Sequence, residues 1–351
     1  MIKRRETKQI SIGNIKIGGN APISVQSMCN TDTRNVSSTI NQIKELADKG
    51  CEIVRLAVLN KDAADAIKEI VKLSPLPLVA DIHFDYRLAI QCINNGINAL
   101  RLNPGNIGKR ENVEKVVTLA KQQQIPIRIG VNAGSLEKDL IDKKIPLAQK
   151  MVESALRHIK ILEDLDFDLI KVSLKSSDVL TTIEAYRLIS EKTNYPLHLG
   201  VTEAGTMRNG IIKSAIGLGT LLTEGIGDTI RVSLTENPAE EVVAGFDILK
   251  NIGLRKHGVN FISCPTCGRT QIDLINLAKK VEERFKDFYK PITIATMGCA
   301  VNGPGEARHA DFGIAGGINE GYIFKKGEIV AKVKENELLD KLEEIIIKSY
   351  K

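Results

Sequence analysis

The chain has no tryptophan, and aromatic residues make up only 4% of its 351 positions. Few rings are therefore at hand to stack on bases. Its net charge of +6 comes from lysines and arginines spread over many segments rather than massed in one stripe. That pattern speaks against a nucleic-acid binder and for the solvated faces of ordinary helices. No apolar run approaches the ~20 residues that cross a membrane. The N-terminus, MIKRRETKQISIG, is basic but has no apolar segment behind it, so it is not read as a secretory signal and a cytoplasmic protein is expected. Six cysteines are too few for a disulfide framework in a chain of this length. Cys29, Cys51 and Cys92 have no ligand spacing and read as small buried hydrophobes.

What the sequence does have is a repeat of strand and helix. Eight short apolar runs, ISVQSM, EIVRLAV, PLVADIHF, NALRLNP, IPIRIGVN, DLIKVSLK, LHLGVTE and DTIRVSL, alternate with helix-length amphipathic segments. One of these, NVSSTINQIKELADKG, ends in Gly50 as a helix stop. Continuous apolar strands separated by helices imply a parallel sheet covered by helices. Eight such units imply a (β/α)8 TIM barrel. The repeat ends near residue 252. Residues 253–260 read as a linker, and residues 261–351 as a small α+β domain.

The barrel strands carry polar residues at a period of two, which places them on one face. Arg55, Arg101 with Asn103, Arg128 with Asn132, Lys171 with Ser173, and Arg231 with Ser233 follow this rule. So do Asp81 with His83, and His198 with Thr202, while Glu203 ends its strand. Their neighbours are apolar and must pack against helices, so the polar set faces the barrel axis. Barrel enzymes place their sites at the C-terminal mouth of that axis. Five cations against Asp81 and Glu203 leave an excess of positive charge in a partly buried space, which is costly without an anion. A diphosphate or other di-anion is the expected ligand class. The glycine-rich GLGTLLTEGIGDTIR is a further candidate for cradling a phosphate with backbone N–H groups.

In the C-terminal region Cys264 and Cys267 form a Cys-x-x-Cys pair, and Cys299 follows in TMGCAVNGPGEARH. Three thiolates suit a metal or a cluster. A structural zinc requires a closed set of four ligands, which His309 would complete. The Gly- and Asn-rich surroundings of Cys299 favour an iron–sulfur cluster instead, because they bring backbone N–H groups close to sulfur. Glu306, in the same loop, is then a weak oxygen ligand for the fourth iron.

The motifs SVQSMCNTDT, VRLAV, ADIHFDYRLA, ALRLNPGNIG, RIGVNAGSL, KVSLKSSD, LGVTEAG, GIGDTIRVSLTENP, SCPTCGRT and MGCAVNGPGEA occur in this order. Over nearly its whole length the chain resembles the 4-hydroxy-3-methylbut-2-enyl diphosphate synthases, iron–sulfur enzymes of the non-mevalonate isoprenoid pathway, in their short two-domain form. The resemblance implies reductive conversion of 2-C-methyl-D-erythritol 2,4-cyclodiphosphate to (E)-4-hydroxy-3-methylbut-2-enyl diphosphate. It implies a [4Fe–4S] cluster on Cys264, Cys267, Cys299 and Glu306. It places Arg55, Arg101, Arg128 and Lys171 on the diphosphate, and Asp81, Asn132, Glu203 and Arg231 around the reacting carbons. His83, Asn103, His198, Thr202 and Ser233 are added from strand parity alone, as is Ser173.

A ferredoxin or a flavodoxin is the expected electron donor. The helix after the eighth strand runs away from the mouth, and eight linker residues span at most ~28 Å. A head-to-tail homodimer, in which each cluster domain caps the partner's barrel, is therefore expected, as the resemblance also implies. The rival readings are a pterin- or phosphate-binding barrel with a structural zinc domain, and a zinc-bearing nucleic-acid or scaffold protein.

Overall fold

The computed structural model describes residues 2–299 and 309–350. The chain divides into two compact units, Met1–Arg255 and Lys256–Lys351.

The first unit is an eight-stranded parallel barrel. A short antiparallel hairpin, β1 (Ile10–Ile12) and β2 (Ile15–Ile17), precedes it. The barrel strands are β3 (Ser24–Met28), β4 (Ile53–Ala57), β5 (Leu78–Asp81), β6 (Ala99–Arg101), β7 (Ile127–Asn132), β8 (Ile170–Lys175), β9 (His198–Leu199) and β10 (Thr229–Ile230). Pairing runs β8-β7-β6-β5-β4-β3-β10-β9. A parallel bridge between Val172 and Leu197 joins the two ends of that order. Each of the eight apolar runs holds one of these strands, so the expected (β/α)8 barrel is present.

Helices follow the strands for local reasons. In α1 (Val36–Asp48), Asn35 caps the start by accepting from Ser38 N, and Gly50, at φ 90°, takes the left-handed turn after the end. In α2 (Lys61–Leu73), Ala63, Ala64, Ile67 and Ile70 form one buried stripe. The strands split their faces as parity requires. Ile170, Val172 and Leu174 of β8 join Ile127, Ile129 and Val131 of β7 in the main core. Lys171, Ser173 and Lys175 take the alternate positions.

The hairpin was not expected from the sequence. Ile10, Ile12 and Ile17 pack on Ile53, Val79 and Ala99 in a separate apolar cluster. Those three partners sit at or near the N-terminal ends of their strands, so the hairpin plugs the end opposite the mouth. The glycine-rich run also differs from expectation. Gly217 and Gly219 lie inside the helix Met207–Thr223, and Gly225 and Gly227 precede β10. Those last two glycines stand at the plugged end, away from the mouth, so this run cradles no ligand there.

The second unit is a five-stranded sheet, β11 (Val259–Ser263), β12 (Ile292–Met297), β13 (Phe312–Gly317), β14 (Glu320–Lys325) and β15 (Glu328–Lys334), in that order. The first three strands are parallel and the last two pairings antiparallel. Two helices, Leu274–Phe285 and Leu338–Tyr350, bury Leu277, Val281, Leu342 and Ile346 against Ile294 and Ile314. This is the expected small α+β fold. Its first strand takes up Val259 and Asn260, the last two residues of the segment read as a linker.

Candidate active site

A cavity of about 190 Å³ opens where the barrel strands end. One water molecule occupies roughly 30 Å³, so the space suits a small molecule. Arg55, Asp81, Arg101, Arg128 and Arg231 line it. His83, Asn132, Ser173, Thr202 and Ser233 complete the wall, together with Lys175.

Asp81 is the electrostatic centre of the barrel. Its carboxylate accepts from Arg101 Nη1 at 3.1 Å and lies 3.5 Å from Arg55 Nε. Burial works to raise its pKa, but Arg55, Arg101 and Arg128 outweigh that and hold it below the usual carboxylate range. Arg101 also donates to Gly130 O at 2.8 Å. A Cβ on Gly130 would lie 2.5 Å from Arg101 Nε, so the missing side chain makes the room this guanidinium occupies. Arg231 is fixed from the other side. Its Nε and Nη2 donate to the two oxygens of Glu241, at 3.1 and 3.0 Å. Glu241 itself is buried.

The remaining cations are poorly compensated. Arg128 is 3% exposed, and its Nε has no hydrogen-bond partner among the described residues. Burial, then Arg55 and Arg101, push its pKa well below the ordinary guanidinium value. Burial likewise lowers Arg55 to about 10, against the pull of Asp81. Lys175 is pushed down by burial, then by Arg128 and Arg231. Among the described lining residues, five cations thus face one carboxylate. An entering anion relieves this strain.

Four barrel residues of the expected set lie away from the cavity wall. Lys171 is enclosed within the barrel, and its Nζ finds no partner among the described residues. Burial, then Arg128, lower its pKa well below the ordinary ammonium value. Asn103 spends its side chain on the β7 backbone: Nδ2 donates to Gly130 O, and Oδ1 accepts from Gly130 N. His198 is fully buried beside Lys175. Glu203 is exposed, with a left-handed φ of 52°. The barrel unit by itself therefore leaves that carboxyl open to solvent. Lys175 is the residue that sequence reasoning missed. It continues the face of Lys171 and Ser173 by one further step of two, and that signal was available.

In the second unit two of the three cysteines follow neighbouring parallel strands. Cys264 comes directly after β11, and Cys299 two residues after β12. Gly298 N donates to Cys264 Sγ at 3.2 Å, and Gln271 N to Gly298 O at 2.9 Å, which ties the Cys-x-x-Cys loop to the strand end carrying Cys299. Cys267 is exposed, and hydrogen bonding to the Arg269 backbone lowers its thiol pKa. A backbone N–H aimed at one sulfur and a thiol disposed to ionise suit thiolate ligation of a metal or cluster. Among the described residues no three His, Cys, Asp or Glu side chains converge as a preformed metal site. Glu306 lies outside the described residues. His309 falls within them but joins no such group. Cys29, Cys51 and Cys92 are buried free thiols, each pushed up to about 12 chiefly by burial.

Residues 7–246 match the GcpE TIM-barrel domain, and residues 260–348 match the GcpE protein C-terminal domain. The chain belongs to the GcpE family. A relative from Clostridium perfringens, named 4-hydroxy-3-methylbut-2-en-1-yl diphosphate synthase (flavodoxin), is 63% identical, covering 98% of this chain and 99% of its own. One of the same name from Geobacter sulfurreducens is 58% identical, covering 97% and 96%. Among solved structures, a dihydropteroate synthase from Xanthomonas albilineans superposes with a TM-score of 0.50 at 12% identity, covering 69% of this chain and 96% of its own. The Plasmodium falciparum HPPK-DHPS gives 0.52 at 12% identity, covering 71% and 51%. At such identity the likeness is one of barrel fold alone.

Proposed function

We propose that this chain catalyses the reductive conversion of 2-C-methyl-D-erythritol 2,4-cyclodiphosphate to (E)-4-hydroxy-3-methylbut-2-enyl diphosphate, with loss of water. The observation that carries the reading is the excess of buried cations around the mouth cavity, in a chain whose relatives bear that synthase name. The pterin- or phosphate-binding barrel with a structural zinc has no full-length relative behind it among those named above.

Arg55, Arg101 and Arg128 neutralise the diphosphate, with Lys175 at the far wall and Lys171 acting from beneath as a charge rather than a contact. Arg231, held by Glu241, and Asp81, held by two arginines, are fixed before the ligand arrives, so little ordering remains to be done on binding. Asn132, Ser173, Thr202 and Ser233 offer neutral donors and acceptors to the ring oxygens. Cys264, Cys267 and Cys299 hold a [4Fe–4S] cluster, with Glu306 as its oxygen ligand. When bound, the cluster supplies single electrons and Lewis-acidic iron.

Glu203 delivers a proton to the departing oxygen. Its strained backbone supports a functional role, since such strain gathers at working loops. Its exposure means that another surface must close over it. Leu59 and Phe84, on the loops after β4 and β5, are 78% and 74% exposed at the same mouth. These uncovered apolar side chains support a homodimer in which the partner's cluster unit caps the barrel and the site is shared. A flavodoxin, as in the relatives' names, is the electron donor. Among the described residues no helix is long and apolar enough to cross a membrane.

The test is an anaerobic assay with the cyclic diphosphate and a chemical reductant. Formation of the allylic diphosphate supports the reading, and its absence from cluster-replete protein overturns it. Glu203→Gln with the cluster intact is expected to lose turnover, and full activity would remove its role as proton donor. Mixing an Arg128 variant with a Cys299 variant is expected to restore activity through mixed dimers, whereas no recovery would argue for sites within single chains.

A further inference from the structure

We infer that His198, which does not line the cavity, is a positioning residue that holds Lys175 in place for the anion. The inference rests on the reading of the cavity as a diphosphate site.

Lys175 ends β8 at the rim, yet its side chain turns inward. Its Nζ lies 3.2 Å from His198 Nε2, and this is its one hydrogen bond among the described residues. The bridge between Val172 and Leu197 sets Ser173 level with His198, so the ammonium reaches back along the barrel to meet the ring. It does so through the space left by Gly200. A Cβ there would sit 2.5 Å from Lys175 Nζ and 2.9 Å from its Cε. Tyr186 fixes the frame, donating its hydroxyl to His198 O and accepting from Leu174 N at 3.1 Å. With Lys175 charged for the anion, its ammonium only donates, so Nε2 is then the acceptor and Nδ1 carries the hydrogen. Nδ1 has no partner among the described residues.

The choice of a neutral acceptor has a physical consequence. A carboxylate in this place would fix Lys175 equally well but would cancel the charge the anion needs. A free lysine stem would keep the charge but lose up to about 2 kcal/mol of rotamer freedom on binding. His198 removes that freedom beforehand and leaves the charge available.

Calorimetric binding of inorganic pyrophosphate to the anaerobic holoprotein reads this without turnover. Lys175→Met and His198→Leu are each expected to weaken binding about tenfold, the factor that 1.4 kcal/mol gives. The double variant is expected to be no weaker than either single one, because both remove the same contact. His198→Gln, whose amide oxygen accepts in place of Nε2, is expected to stay within about threefold of the unsubstituted chain. In turnover, His198→Leu raises KM about tenfold and leaves kcat within about twofold, the mark of lost ligand binding.

If leucine prevents folding, His198→Asn carries the test, since its shorter amide falls short of Lys175 and binding weakens where glutamine preserves it. Multiplying losses in the double variant, or a glutamine no better than leucine, would overturn the inference. Failure of the unsubstituted chain to bind pyrophosphate would overturn the cavity reading and this inference with it.

Discussion

In the barrel unit the charged side chains are held before any ligand arrives, whereas in the C-terminal unit the thiols are not. Asp81, Arg101 and Arg231 are locked by hydrogen bonds to one another, to Gly130 and to Glu241. Cys264, Cys267 and Cys299 range from buried to exposed and form no preformed metal group among the described residues. A polyanion needs a rigid ring of donors, whose cost is carried by the fold. A cluster gathers its own ligands as it binds, since metal affinity and local folding are one free energy. The comparison teaches that the barrel cavity is built for preorganisation and the thiol loop for assembly.

The largest effect should come from breaking the assembled half. Cys299→Ser is expected to abolish turnover and strip the cluster, leaving the thermal transition of the barrel unchanged. Iron analysis and calorimetry check both. A colourless yet active variant would refute the ligand role.

Arg128→Met sharpens the contrast, because a rigid cationic ring should trade stability for function. It is expected to lower kcat/KM by 100-fold or more, about 3 kcal/mol of lost transition-state binding. It should also raise the melting temperature of the ligand-free protein, since even buried charges that are paired are often replaced by apolar side chains with a gain of about 1–4 kcal/mol. A fall in melting temperature would show that Arg128 is compensated after all.

Glu241→Gln leaves Arg231 without its counter-charge, and chemical denaturation should register a loss of about 3 kcal/mol. A smaller effect is expected from Asp81→Asn as a function of pH. Asp81 is depressed in the folded chain, so its contribution is whole above the unfolded value of about 3.9 and is lost as pH falls through the folded one. The stability gap between the unsubstituted chain and Asp81→Asn should therefore narrow below about pH 4. A gap constant with pH would mean that Asp81 is not held ionised by its arginines.

The barrel was legible because eight apolar runs each had to pack one face on helices, which forced the alternate residues inward. Parity alone cannot tell how far along the axis an inward residue sits. Lys171 and Lys175 share a face, yet only the second reaches the cavity. Nor does parity say whether a polar group meets ligand or backbone. Asn103 satisfies Gly130, a role fixed by a neighbouring strand that no local pattern encodes. The hairpin at Ile10–Ile17 alternates as strands do, but what it plugs became visible only once the opposite end of the barrel was in place. The strand at Val259–Ser263 was hidden because it begins inside the polar, glycine-bearing run GLRKHGVN, which reads as a linker.

The most direct test of the central claim is the metal content and spectrum of anaerobically isolated protein, with and without the cyclic diphosphate. The account predicts a brown chain holding iron and sulfide, with three thiolates to the cluster and a spectrum that shifts when the substrate enters the cationic cavity. A colourless chain carrying zinc, or a cluster whose spectrum ignores the substrate in both the unsubstituted and Arg128→Met proteins, would contradict it.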